Sequence, residues 1–276
     1  MKLLKITSLA ALTLLFVQTS RAQTYINVGI GYGAPALREL IVVDYDQNSS
    51  TTTYKGIYSS LGAGLQPQIA FGWKFNPNVG LEFGYGYLMG SKIKADIHDA
   101  SSANVEDGTE EMWARMHQFM IGGRVTASEG SWQPYMRVGA VFGVGGHIYD
   151  EIETTTTGPA FSSSYHRMEE YTQGVAFGFT GGLGIHYHMS DMFAIYIEAN
   201  MIAQNYSPNH SEITTFDVDG QDQLGSMTIR QKETDYVKEY TTSNPPNDGA
   251  PDQDLRFFLP MSSIGLAAGV HFYFGQ

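Results

Sequence analysis

Few side chains in this sequence could do chemistry, and their placement follows one rule. Lys74, Glu82, Arg124, Arg137 and Glu198 each stand between hydrophobic or glycine neighbours, in stretches otherwise almost free of charge. Charges of both signs held in such surroundings must pair, because a lone buried ion is strongly destabilising. The pattern predicts an internal salt-bridge network, with a proton or ion path through the same cluster as the alternative. His186 and His188 are two residues apart, and His271 lies in the last apolar segment. Imidazoles so spaced can ligate a metal. No carboxylate or thiolate stands beside them, so they read as polar filler, with no metal or other cofactor assigned.

Two further constellations carry less. Asp217, Asp219 and Asp222 surround Gly220, and Asp248, Asp252 and Asp254 follow. Oxygen ligands can hold calcium, but the full loop spacing and its closing Glu are missing, which favours a solvated acidic loop. Asn209-His210-Ser211-Glu212 places His, Ser and an acid in adjacent positions. Adjacent residues cannot fold back into a hydrogen-bonded relay, so no catalytic residue is assigned and the chain reads as a non-enzyme.

The elements that must position these groups alternate with period two. Phe193, Ile195, Ile197, Ala199, Met201 and Ala203 form one face of a strand that carries Tyr196, Glu198, Asn200 and Gln204 on the other. The same alternation recurs at Ile26–Tyr32, Gln68–Phe75, Leu81–Gly90, Gln118–Val125, Arg137–Ile148, Val175–His188 and Ser263–Phe274. Apolar on one face and glycine or polar on the other is the pattern of a transmembrane barrel strand. Eight such segments predict an all-β, eight-stranded antiparallel up-and-down transmembrane barrel with both termini on one side.

The connections are unequal. Three are short, at Asn76–Asn78, Ala127–Ser131 and Ser190-Asp191. Four are long and rich in Thr, Ser, Asn and Asp, at Ala34–Ser60, Ser91–Glu111, Asp150–Thr172 and Tyr206–Leu255. Short periplasmic turns opposite long external loops are the outer-membrane arrangement, and parts of the loops, Leu40–Tyr45 with Thr52–Tyr58, read as strand extensions. Trp73, Phe75, Trp132, Tyr135, Tyr187, Phe193, Phe272 and Phe274 fall near the short turns or the C-terminus and predict an interfacial girdle. Trp113, Tyr149 and Tyr171 would supply the opposite ring.

Lys2 and Lys5, the apolar run Ile6–Gln18 and Ser20-Arg21-Ala22 have the order of a cleaved secretory signal. Residues 1–22 are thus expected to be removed, leaving 23–276 as one barrel domain. Losing Lys2, Lys5 and Arg21 shifts the formal charge from −12 to −15, which excludes the basic surface that nucleic acid selects. Charged residues are only 16% while glycine reaches 31 residues, a composition suited to short strands around a narrow lumen. Cysteine is absent, so the exported chain must hold together without disulfides.

With these segments in view, the chain resembles the small outer-membrane barrel families: the membrane domain of OmpA, OmpX, OmpW, and the outer membrane protein β-barrel domain group common in Bacteroidota. The terminal strand, with Gly269, Phe272 and Phe274, is similar to the signal read by the barrel-assembly machinery. Ala267 stands where a polar residue is usual, and two residues follow the last aromatic. The resemblance implies insertion into the Gram-negative outer membrane, against lipids and lipopolysaccharide, with both termini periplasmic. It implies no single activity, since members include adhesins, scaffolds, narrow channels and lipid-modifying enzymes. The expected role is non-enzymatic anchoring of external loops for a surface or protein partner, with a narrow solute channel as the alternative. Inward glycines at positions 29, 72, 143, 182 and 184 keep the channel in play.

Overall fold

A computed structural model describes residues 23–100, 103–127, 130–241 and 247–274. The predicted signal segment, residues 1–22, lies outside the described residues. The strands in chain order are β1 (Gln23–Pro35), β2 (Glu39–Asn48), β3 (Thr52–Ser59), β4 (Gly64–Lys74), β5 (Val79–Gly90) and β6 (Ile93–Ala100). Then come β7 (Val105–Thr126), β8 (Trp132–Thr157), β9 (Ser162–Thr172), β10 (Val175–Ser190), β11 (Phe193–Ser207) and β12 (His210–Val218). The last are β13 (Gln221–Asp222), β14 (Glu233–Val237), β15 (Asp252–Leu255), β16 (Leu259–Pro260) and β17 (Ser263–Phe274). No helix among the described residues is long and apolar enough to cross a membrane.

All strands belong to one hydrogen-bonded sheet. Antiparallel pairs run β1–β4, β4–β5, β5–β7, β7–β8, β8–β10, β10–β11 and β11–β17. The circuit then closes from β17 back to β1, in register from Thr24↔Phe274 to Pro35↔Ser263. Its outer face carries exposed Val28, Ile30, Phe71, Phe83, Ile121 and Leu266. The short turns cluster where the sequence places them. At one, Asn76 Oδ1 accepts the backbone N–H groups of Asn78 and Val79 at 2.9 and 2.8 Å, an Asx turn that needs no longer loop.

The structure divides the chain into seventeen strands among the described residues, where the sequence pattern gives eight. The difference lies in the four long connections, which are strand-bearing rather than irregular. Beyond the circuit, β2 pairs with β3, β6 and β2 run parallel, and β6 pairs with β7. On the other flank β8 pairs with β9, β9 with β12, β12 with β14, and β14 runs parallel to β15. The physical reason is composition: Thr recurs through these links with Tyr and Ile among it, and β-branched and aromatic residues favour a pleated surface. Most of the alternation is polar against polar, so hydrophobic periodicity reveals little of it beyond Leu40–Tyr45 with Thr52–Tyr58.

One bulge reorients the long β8. Register slips between Arg115 and His117 of β7, and Gly145 opposite takes φ +58, a left-handed conformation that glycine adopts without steric cost. Side-chain parity reverses there. Ile148, expected on the outer face, is fully buried.

The inward glycines are slots for large side chains on facing strands. A Cβ at Gly72 would lie 1.9 Å from Cζ of Tyr25, one at Gly184 2.4 Å from Cζ of Tyr135, and one at Gly143 2.3 Å from Sδ of Met116. A Cβ at Gly29 would meet the Tyr196 hydroxyl at 2.0 Å. Gly72→Val therefore forces the Tyr25 ring off its seat, and overpacking of this kind costs roughly 1–3 kcal/mol. A lowered urea midpoint in folded, detergent-solubilised protein is the expected result, whereas Gly123→Val, whose nearest neighbour is backbone at 3.9 Å, leaves the midpoint near wild type.

Candidate functional site

The lumen is organised in levels. In the middle, Glu82 from β5 accepts the Tyr25 hydroxyl at 2.9 Å and pairs with Arg124 of β7 at 3.1 Å. Glu198 of β11 receives Arg137 of β8 in a bidentate fork, Nη2 to Oε1 at 2.8 Å and Nε to Oε2 at 2.9 Å. The Tyr135 hydroxyl donates to the same carboxylate at 3.0 Å. Arg137 also reaches Glu82 at 4.0 Å, joining the two pairs. All four charged side chains are buried, Glu198 at 2% exposure and Arg124 at 3%. Fork geometry and added phenol donors supply the hydrogen bonds that desolvated ions require.

Of the five charges that the sequence brings together, four meet. Lys74 does not join them: it forms no ion pair among the described residues, and its ammonium lies 5.0 Å over the Tyr273 ring. It sits at the end of β4, opposite Gln23, beyond the reach of Glu82. The histidines do converge. His186 Nε2 and His271 Nε2 are 2.9 Å apart, and Arg124 Nη1 is 3.3 Å from the same His271 nitrogen. A metal on that nitrogen would face a guanidinium. His188 stacks on Tyr273 at 5.1 Å. Gly269, Phe272 and Phe274 lie on β17, whose last residues pair with β1 and β11, both aromatics facing outward.

Several site residues escape the sequence reading. Tyr135, expected in the outer girdle, is buried in the lumen, because Val138 and Phe142 fix the outer parity of β8. Tyr171, expected in the opposite ring, packs against the core, while Trp113 and Tyr149 stack at 5.2 Å. Above the charges an apolar layer of Leu61, Leu88, Met116, Ile148, Tyr206 and Met261 fills the end of the circuit away from the short turns. Leu61 and Met261 come from connections that periodicity cannot orient. Their backbone N–H groups donate to the carbonyls of Pro260 and Gln204 at 2.9 and 3.0 Å.

The long connections carry their own charge clusters. Glu151, Glu153 and His166 bring one donor atom each within 4.8 Å of one another and form the set that could hold a cation among the described residues. Lys92 already pairs with Glu151 at 3.1 Å and Asp217 stands 3.7 Å from His166. The acidic run does not converge into a calcium loop. Asp219 accepts the backbone N–H of Ser164 and Asp222 that of Leu224, each at 2.8 Å. His210 pairs with Asp235 at 2.8 Å while Ser211 turns to the Tyr236 hydroxyl at 3.1 Å, so no relay forms there.

The model of a known family, the outer membrane protein beta-barrel domain, matches residues 7–224. The chain belongs to that family. As a member it resides in the outer membrane. No curated protein matches the chain. Among solved structures it is similar to the outer membrane protein OprG from Pseudomonas aeruginosa, at 9% identity over 93% of this chain and 98% of that one, with a TM-score of 0.43. It is also similar to Ail, the attachment invasion locus protein of Yersinia pestis, in complex with the heparin analogue sucrose octasulfate, at 10% identity over 92% and 99%, TM-score 0.33. A third is the outer membrane protease OmpT from Escherichia coli, at 7% identity over 92% and 96%, TM-score 0.28. The family match alone carries the assignment of this barrel-domain protein.

Two outcomes follow from these side chains. Arg124→Ala leaves Glu82 buried with a single phenol donor, and breaking a buried pair costs roughly 3–5 kcal/mol; the urea midpoint should fall clearly below wild type. Asp150 lies on the part of β8 that runs past the closed circuit, where β9 is the neighbour. Burial, then Glu110, pushes its carboxyl up from 3.8 to about 7, against the opposing pull of Arg167. The folded protein thus holds this proton more tightly than the unfolded chain, and Asp150 costs stability as pH rises from 3.8 to about 7, with no further loss above. Asp150→Asn should remove that slope, its lead over wild type growing across this window in unfolding titrations.

Proposed function

We propose that the circuit β1–β4–β5–β7–β8–β10–β11–β17 is an eight-stranded transmembrane barrel with the short turns and both termini periplasmic. Its work in this reading is to hold the external sheet at the cell surface, for a surface interaction or as a scaffold in an outer-membrane complex. No catalytic step is assigned. One observation carries this: the long connections, instead of trailing as loops, continue the barrel wall as an ordered sheet from β3 to β15, while paired charges and an apolar layer occupy the bore. Of the 28 acidic residues, all but Glu82, Glu129, Asp191 and Glu198 lie in or beside the long connections, so the favoured partner surface is basic. Membrane neighbours in this reading are lipids and lipopolysaccharide, and the last strand is the segment offered to the barrel-assembly machinery.

A narrow channel is the second reading, favoured by the inward glycines. Against it stand Tyr25, Tyr135, Tyr196 and Met116, which occupy those slots.

Planar-bilayer recording separates the two. Wild type is expected to be nearly silent, and Arg124→Ala to conduct measurably more. Steady wild-type conductance with no change in Arg124→Ala would promote the channel. Orientation has its own measurement: an epitope inserted after Gly220, at an open tip, is expected to bind antibody on intact cells. One after Asn78 should bind only after permeabilisation, and the opposite result inverts the topology.

A further inference from the structure

The lumen holds more positive than negative charge, and the excess is concentrated at one end. Within the circuit Glu82 is taken by Arg124, and Glu198 by Arg137. Lys74 remains, in the level nearest the short turns, with an aromatic face and no carboxylate paired to it among the described residues. Arg124 lies close enough to act on it, and both act on His186 and His271. A cation held in a half-dry lumen calls for a counter-charge. Asp191, on the turn between β10 and β11, acts electrostatically on His188.

The hydrogen-bond inventory points the same way. A guanidinium can only donate, so His271 Nε2, 3.3 Å from Arg124 Nη1, must be an acceptor. Its neutral ring then carries the proton on Nδ1. That Nδ1 is buried without a partner, as are the Tyr273 hydroxyl and Arg124 Nη2. His271 is fully buried, and Tyr273 and Arg124 are each 2% exposed. Three orphan donors and an ammonium with no ion pair among the described residues outnumber the unpartnered acceptors beside them, Asn27 Oδ1 across the β1–β17 register and His186 Nδ1. They are costly unless a further acceptor joins them. Tyr273 links them in space: its ring lies 5.0 Å from the Lys74 ammonium and 5.9 Å from the His271 ring.

We propose that the short-turn end of the lumen binds a small oxyanion of the phosphate type, held by Lys74, Arg124, His271 and Tyr273. A metal is disfavoured, because Lys74 and Arg124 repel cations from the same imidazoles. Ammonium, guanidinium, imidazole and phenol donors arriving from different strands suit an anion with several acceptor oxygens. Half-buried Lys74, one residue from the turn, is the point of entry. Which side of the membrane this end faces rests on the orientation proposed above; the site itself does not.

Folded protein in a non-ionic detergent and a zwitterionic, phosphate-free buffer, at ionic strength fixed with sodium chloride, provides the test. Titration calorimetry with inorganic phosphate is expected to give saturable one-to-one binding, reproduced by sulfate, with excess chloride alone failing to displace it. Lys74→Met should weaken binding at least tenfold, Lys74→Arg should retain it, and Tyr273→Phe should weaken it several-fold while the protein still shifts on unboiled gels. Should Lys74→Met fail to fold, Tyr273→Phe decides. Absent or unsaturable binding by wild type, or binding unchanged in Lys74→Met, overturns the proposal. None of these outcomes depends on conductance or on tag accessibility, so the site and the anchoring role stand or fall separately.

Discussion

The pairing of β1 with β17 is the contact on which everything else depends. In hydrocarbon no water is available to satisfy a free backbone N–H or carbonyl, and an open sheet edge there is not tolerated. The first and last described strands meet in antiparallel register over almost their whole length, so the circuit has no edge. That closure fixes the diameter, and the diameter fixes what the interior can hold. At this size a lumen is filled by side chains rather than solvent, which is why its residues are chosen in complementary sizes.

Complementarity explains both the glycines and the charges. Tyr25 seats against Gly72, Tyr135 against Gly184, and Glu198 packs with its carboxyl carbon 2.7 Å from where a Cβ of Gly182 would stand. Each glycine thus lets a carboxylate or phenol from another strand reach the barrel axis, where Arg124 and Arg137 bridge β5, β7, β8 and β11. Arg137 acts as a cross-strut between strands that are not neighbours in the ladder, β8 to β11 and β8 to β5, while Arg124 and Glu82 tie the adjacent β7 and β5. Buried ions of this kind specify one register at a cost in desolvation, and a sheet with two-residue periodicity has every reason to need its register pinned.

Much of this was legible in the residues. Alternation from Phe193 to Gln204 and from Val175 to His188 identifies wall strands, and parity alone sends Glu82, Arg124, Arg137 and Glu198 to the same side. Parity fails where the backbone breaks it: the Gly145 bulge turns Ile148 inward, and no local pattern announces that slip. Tyr135 was readable by the same counting that places Val138 outside, but its nearness to a turn suggested an interface instead. The sheet beyond the circuit was legible only in part, for a different reason. Leu40–Tyr45 with Thr52–Tyr58 read as strands and Val42 reaches the core, but β9, β12 and β14 are mostly polar, and hydrophobic periodicity carries little signal there. Leu61 and Met261, on connections, acquire their inward direction only from tertiary hydrogen bonds.

The length of β8 has a mechanical meaning. A tilted strand crosses the hydrocarbon in about 9–11 residues, and β8 runs for 26 residues, beside β7 of 22 residues. More than half of each stands outside the bilayer, joined to the part within by unbroken backbone. A force applied to the far tip between β8 and β9 loads the β7–β8 ladder along its strands, spreading shear over many parallel hydrogen bonds at once. Whatever grips the external sheet therefore pulls on the barrel wall itself, and the circuit closed by β1 and β17 is the final anchor of that load.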